Sequence, residues 1–280
     1  MRMEETLIRA QHITFGYNPD MPVVRGLDLS IHRGDFVAVL GTNGAGKTTT
    51  VKILNGLLKP QAGTIEIKGK NTAQMTAKEI SQVVGYCYQN PDHQIFCETV
   101  REEILFGLKN RNVPESELEA RVDRALQLVG LQDFKEEAPY QLGKGERQKL
   151  AVASILALEP EVLIVDEPTT GLDWTDSKKI FDLLQQLVDR GMTCLVITHD
   201  LYVVEKYIRR TILFHQGRII ADGSTSDILA QHEKLAQASV GMLRVTQLAQ
   251  TLREKYGVSL PACTSTDAFV NAIIEERGRK

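Results

Sequence analysis

The sequence predicts an α/β fold built on a largely parallel sheet, and three observations carry that expectation. The runs Phe36–Leu40, Val162–Val165 and Cys194–Thr198 are continuously apolar and rich in β-branched residues, as strands buried on both faces require. Amphipathic helical patterns lie between such runs. Ile180, Leu183, Leu184, Leu187 and Val188 share one stripe in a segment whose start is predicted at Thr175 and Asp176. Finally, a glycine-rich stretch, Gly41–Thr48, joins the first apolar run to a helix-forming run from Thr49 to Leu58.

The remaining elements follow in chain order. Residues 6–31 and 61–69 show short strand-like segments with polar alternation and predict an antiparallel β flank. Residues 98–135 are charged and helical, with Leu118, Val122, Leu126 and Val129 in register; they predict an α-helical subdomain at about 90–160, inserted between core strands. After Gly223 the strand patterns stop. Val245, Leu248, Leu252 and Tyr256 then fall in helical register, followed by Pro261 and a second helix at about 266–277. The expected organisation is a domain over 1–225 and a small C-terminal helical appendage over 226–280.

Composition narrows the function classes. A chain of 280 residues, 42% hydrophobic and 25% charged, has material for a sizeable core. Its net charge of −3 and lack of a long Lys/Arg block argue against nucleic acid as the main ligand. No apolar run reaches the ~18–20 residues of a membrane-spanning helix. The first residues, Met1 to Thr6, are acidic where a signal peptide is cationic, which predicts a cytosolic chain. Cys87, Cys97, Cys194 and Cys263 form no CxxC pair and are expected as reduced thiols.

The chemistry centres on two motifs. Gly41, Thr42, Asn43, Gly44, Ala45, Gly46, Lys47 and Thr48 fit G-x-x-x-x-G-K-[ST]. In that pattern glycines let successive backbone N–H groups point at phosphate oxygens, and the following helix adds its positive dipole end. Lys47 is placed to reach the terminal phosphates and the Thr48 hydroxyl to hold Mg²⁺. A glycine-rich turn that merely contains Lys-Thr is the bland alternative; the strand before and helix after argue against it. The second motif, Val162–Pro168, ends a buried strand in Asp166 and Glu167. Asp166 thereby emerges at the carboxyl edge of the sheet as a hard oxygen ligand for Mg²⁺, and Glu167 beside it can polarise a water. These residues together read as a P-loop NTPase.

Further motifs carry a family resemblance. Tyr140–Ala151, with Leu142, Gly143, Lys144, Gly145 and Glu146, runs into a helix; Gly171–Asp173 and Ile197–Asp200 follow the later strands. With the two phosphate motifs, this order over about residues 6–225 resembles the ATP-binding subunit of ABC transporters. The resemblance implies an ABC ATPase fold with a RecA-like parallel sheet core. It also implies an ATP hydrolase coupled to transmembrane transport, with ATP and Mg²⁺ as cofactors. By motif, Tyr17 would stack on adenine and Thr49 would join the phosphate site. Gln89 would touch Mg²⁺ and the attacking water, His199 would hold the γ-phosphate and Glu167 in register, and Asp173 would communicate across a dimer. Gly143–Glu146 would close over ATP held by a second subunit. It departs from the family's Leu-Ser-Gly-Gly-Gln: Gly143 replaces the serine, Lys144 the first glycine and Glu146 the glutamine. Either Lys144 compensates for the lost hydroxyl, or the site is degenerate and works beside an intact sibling.

Three local features resemble one branch, the ATPases of energy-coupling-factor (ECF) importers for vitamins and transition metals. These are Tyr88–Phe96 with Thr99, Val100 and Ile104–Gly107, then Thr169-Thr170 before Gly171, and the tail from Val245 to Pro261. The branch implies a head-to-tail dimer, homomeric or heteromeric, at the cytoplasmic face of the membrane. Its partners would be a transmembrane coupling protein docked near 89–107 and a membrane protein that captures the solute. The tail would contribute to pairing or simply cover its own domain. Alternatives are an ATPase of another ABC class, a soluble non-transport relative, and a P-loop kinase or GTPase, the last disfavoured by Gln89, Leu142–Glu146 and His199.

Overall fold

The computed structural model describes residues 5–18, 20–258, 260–261 and 265–278. The expectation for Cys263 lies outside the described residues. Its first half comprises β1 (Thr6–Phe15), β2 (Val24–His32), β3 (Phe36–Leu40), α1 (Lys47–Leu54), β4 (Ala62–Ile67), β5 (Lys70–Asn71), α2 (Ala77–Val83), β6 (Val84–Cys87), α3 (Val100–Asn110) and α4 (Glu115–Val129). There follow α5 (Lys144–Leu156), β7 (Val162–Asp166), α6 (Trp174–Asp189), β8 (Thr193–Ile197), α7 (Leu201–Tyr207), β9 (Arg210–His215) and β10 (Arg218–Ser224). The last four helices are α8 (Thr225–Ala230), α9 (His232–Gln237), α10 (Arg244–Tyr256) and α11 (Thr266–Gly278).

Two sheets result. The larger has the order β10-β9-β3-β8-β7-β6, parallel throughout except for the antiparallel edge strand β10. The smaller is antiparallel, in the order β2-β1-β4-β5. The three apolar runs are adjacent central strands, and every residue of β3, β7 and β8 is buried.

Their continuous hydrophobicity has a direct cause, because alternate residues feed different cores. Phe36, Ala38 and Leu40 of β3 face a cluster completed by α3–α6, with Leu163 and Val165 of β7 and Cys194 and Val196 of β8. Val37 and Val39 face the other cluster, which joins the antiparallel sheet and α1 to Ile164, Leu195 and Ile197. Cys87 and Cys194 are buried free thiols, and Cys97 is a partly buried one. Burial pushes the Cys97 thiol up to about 11.

Several boundaries differ from the sequence reading. Helix α6 begins earlier than Thr175, because the Asp173 carboxylate accepts the N–H of Asp176 at 2.8 Å and caps it. Ile228, Leu235 and Ala238, beyond residue 225, still pack into the core under α3–α6. The stripe of α10 does not form its buried face: Thr246 and Ala249 are buried while Leu248 and Tyr256 are exposed. A separate small cluster of Ala249, Leu260 and Ala272 joins α10 to α11. Phe96 is exposed and packs edge-to-face on exposed Phe106.

Phe181 is fully buried in the larger cluster. Phe181→Ala is expected to destabilise the chain by about 3–5 kcal/mol, lowering the denaturant midpoint without changing the slope.

Candidate functional site

The phosphate motif closes on itself at the carboxyl end of β3. Gly41 adopts φ +146°, and a Cβ there would lie 2.5 Å from the Phe214 carbonyl oxygen. Gly46 adopts φ +101°, with a Cβ position 2.9 Å from the Val23 carbonyl oxygen. Only glycine satisfies both demands. Helix α1 therefore starts from a left-handed glycine with no side-chain cap, and its first N–H groups stay available to an anion. Within the loop the Ala45 N–H donates to Thr42 O at 3.1 Å, and the Gly217 N–H donates to Ala45 O at 2.9 Å. The Lys47 ammonium is buried and donates to the carbonyls of Gly41 (2.7 Å) and Thr42 (3.0 Å). Burial lowers its pKa, and the facing Glu167 and Asp166 carboxylates oppose that shift.

Asp166 ends β7 on the face that carries α1. Burial raises its pKa, against the Thr48 hydroxyl, the Tyr86 phenol and the Lys47 charge, which all favour the carboxylate. Tyr86 donates to Asp166 Oδ2 at 3.0 Å, whereas Oδ1 is buried with no hydrogen-bond partner. An orphaned carboxylate oxygen beside a threonine hydroxyl is a donor set that fits Mg²⁺, which accepts few protein ligands and keeps phosphate oxygens and waters for the rest. Among the described residues there is no cluster of three or more His, Cys, Asp or Glu that would suggest a different, all-protein metal centre.

Glu167 turns the chain out of the strand in a left-handed conformation, φ +48°, which is rare for a side-chain-bearing residue. Its N–H is satisfied by Ile197 O at 2.8 Å. The buried carboxylate accepts from His199 Nδ1, with 2.7 Å between Oε2 and the ring nitrogen. Burial raises the Glu167 pKa, opposed first by His199 and then by Lys47, while Asp166 adds to the rise. A carboxylate with elevated basicity, oriented by an imidazole, is suited to accept a proton from water.

A cleft of ≈ 350 Å³ brings these groups together: Asn43, Gly44, Gly46, Lys47, Thr48 and Thr49 from the loop and α1, Asp166 and Glu167 after β7, Gln89 after β6, and Tyr17. Tyr17 is 65% exposed, braced edge-to-face on Phe15, with its hydroxyl 3.3 Å from Thr49 Oγ1. An exposed ring over the phosphate loop offers one face for stacking. His199 joins the site through Glu167 rather than by lining the cleft.

The structure does not bring Gly143–Glu146 into this cleft. Glu146 Oε2 accepts the Gly143 N–H at 2.8 Å, so Glu146 caps its own helix. The segment packs on the Gly171–Asp176 turn instead: a Cβ on Gly171 would come within 2.5 Å of Lys144 Nζ, and one on Gly145 within 3.1 Å of Asp176. Sequence reasoning missed Tyr86, because nothing in the linear pattern places β6 beside β7.

The chain resembles known proteins in sequence and fold. The pattern of the family described as ABC transporter matches residues 24–170, and the chain belongs to that family. It is 37% identical to an energy-coupling factor transporter ATP-binding protein, EcfA, of Methanothermobacter thermautotrophicus, over 88% of this chain and 80% of that protein. It is 40% identical to a putative ABC transporter ATP-binding protein of Caldanaerobacter subterraneus over 90% of this chain, but spans only 44% of that relative's length. The solved structure of cbiO1 from Clostridium perfringens, described as part of the ABC transporter complex cbiONQ, superposes with a TM-score of 0.77 at 31% identity, covering 88% of this chain and all (100%) of that one.

Replacing Gly46 with alanine is expected to cost about 1–3 kcal/mol of backbone strain at this turn and to abolish binding of a fluorescent ATP analogue. Retained binding would separate the loop's geometry from the site.

Proposed function

We propose that this chain binds and hydrolyses ATP to energise a membrane importer of the energy-coupling-factor type, carrying a vitamin or a transition-metal ion. One observation carries the reading: the phosphate loop, the Asp166 carboxylate and the His199–Glu167 pair converge on a single cleft. The names of the relatives, EcfA and cbiO1, support the branch.

In this reading Tyr17 stacks on the base, and the loop amides with Lys47 hold the phosphates. Mg²⁺, when bound, neutralises phosphate charge and is held by Thr48, Asp166 and Gln89. Glu167 accepts the proton of the attacking water, and His199 keeps that carboxylate aimed at the γ-phosphate. The chain's own Gly143–Glu146 segment does not line the cleft. A second ATPase subunit, placed head to tail, would supply that segment over the nucleotide, so that ATP binding closes the pair and hydrolysis loosens it. Lys144, exposed beside Gly171, then stands where a cation can meet the partner's nucleotide. Residues 226–280 would aid pairing.

No helix among the described residues is long and apolar enough to cross a membrane. We place the chain as a peripheral subunit at the cytoplasmic face, under a transmembrane coupling protein that works with a substrate-capture protein. A groove of ≈ 560 Å³ is lined among others by Leu57, Gly107, Arg111 and Leu158, and Gly107 directly follows Phe106 of the exposed Phe96–Phe106 pair. Apolar walls beside exposed aromatics suit an intruding helix of such a partner. Purification from membranes with a small multi-spanning protein would support this reading, and a wholly soluble pool with full turnover would refute it.

Glu167→Gln is expected to retain ATP binding, accumulate an ATP-dependent dimer on size exclusion and lower phosphate release by about 100-fold or more. Lys144→Ala is expected to weaken that dimer and slow turnover while leaving ATP binding to the separate subunit intact. Equal dimerisation and turnover in the Lys144 variant would remove it from the site.

A further inference from the structure

Tyr86 is a buried tyrosine that the sequence motifs leave without a role. Strand β6 is the edge of the parallel sheet and pairs with β7 so that Tyr86 lies beside Ile164. Side chains two residues apart on a strand share a face. Ile164 and Asp166 therefore point the same way as Tyr86, toward the core that contains α1, where Ile164, Tyr86 and Val51 are packed together in one cluster. The phenol lands on the carboxylate: its hydroxyl donates to Asp166 Oδ2 at 3.0 Å. Oδ1 of the same carboxylate is buried and has no hydrogen-bond partner.

We propose that Tyr86 is a positioning residue of the divalent-cation site, holding one oxygen of Asp166 so that the other is presented to the metal that accompanies the polyphosphate. The inference rests on the reading of the cleft as an ATP–Mg²⁺ site and adds to it the group that orients its carboxylate. A carboxylate can rotate about its terminal bond, and a ligand oxygen is useful only when that rotation is stopped. Here the Tyr86 hydrogen bond opposes that rotation, and the phenol is itself held in place. Its ring is 9% exposed and packs edge-to-face on Tyr88, with centroids 4.9 Å apart. Tyr86 also contributes to the wall of the groove that contains Gly107, Arg111 and Leu158. The metal carboxylate is thus one hydrogen bond away from that surface.

Tyr86→Phe removes a single oxygen atom and leaves the packing of the ring in place. The test uses the full chain with Mn²⁺ as the probe, read by electron paramagnetic resonance in the presence of ADP, alongside ADP binding in excess EDTA. The wild-type chain is expected to bind Mn²⁺ only with nucleotide. In the variant Mn²⁺ affinity is expected to fall roughly tenfold or more, the usual effect of losing a group that orients a metal ligand, while metal-free ADP affinity stays the same. Unchanged Mn²⁺ affinity overturns the inference, and so does a parallel loss of metal-free ADP affinity, which would mark a general disturbance of the fold. Failure of the wild-type chain to bind Mn²⁺ with nucleotide would instead strike the reading of the cleft itself, and this inference with it.

Discussion

Burial of the central sheet on both faces is the constraint from which the site follows. With Leu163 and Val165 committed to one core and Val162 and Ile164 to the other, β7 has no room for a polar residue until its last position. The first position beyond Val165 is Asp166, and the next is Glu167. The same holds for β3, which releases the chain at Gly41, and for β8, which leads through Thr198 to His199. Parallel strands end at the same edge of a sheet, so three strands that can carry chemistry only at their ends carry it to one place.

Burial also sets the electrostatics there. Desolvation alone would neutralise Lys47, Asp166 and Glu167, lowering the first and raising the other two. The opposite charges counter this: the ammonium favours both carboxylates, and both carboxylates favour the ammonium, whereas Asp166 adds to the rise at Glu167. A triphosphate with its cation would enter as further members of the same balance, an anion for Lys47 and a cation for Asp166 Oδ1, which otherwise has no partner.

How much of this was legible in the sequence depended on the range of the interaction. The strands β3, β7 and β8, the phosphate loop and the Asp166–Glu167 step were readable because each is a local pattern: an apolar run, a spacing, a run that ends in acid. The appendage was harder. An apolar stripe shows that a helix has a preferred side but not which neighbour covers it, and α10 buries Thr246 and Ala249 while Leu248 is left exposed. Helix α6 starts at Trp174, one residue before Thr175, because Asp173 rather than a residue nearer the apolar stripe caps it. Tyr86 was invisible for a different reason: its partner lies 80 positions away, and strand order is not written in any local pattern.

The segment after Gln89 shows how such long-range contacts organise the molecule. Gln94 accepts the Tyr88 N–H at 3.2 Å and donates to Ala151 O at 2.8 Å, so it ties the end of β6 to α5. Arg147 of α5 pairs with Asp92 at 2.8 Å and also donates to the Leu142 carbonyl. Buried Glu103 of α3 accepts the N–H groups of Phe96 and Cys97, each at 3.0 Å. Residues 92–97 are therefore fastened both to the helix that begins at Lys144 and to the helix beside the groove. A buried carboxylate that receives two amides cannot release them without leaving unpaired groups, at a cost of about 1–3 kcal/mol for each. The loop is consequently tied to both α3 and α5. Any force applied at Phe96 and Phe106 reaches two places by bonded routes: Gln89, in the chain's own cleft, and the 143–146 segment outside it.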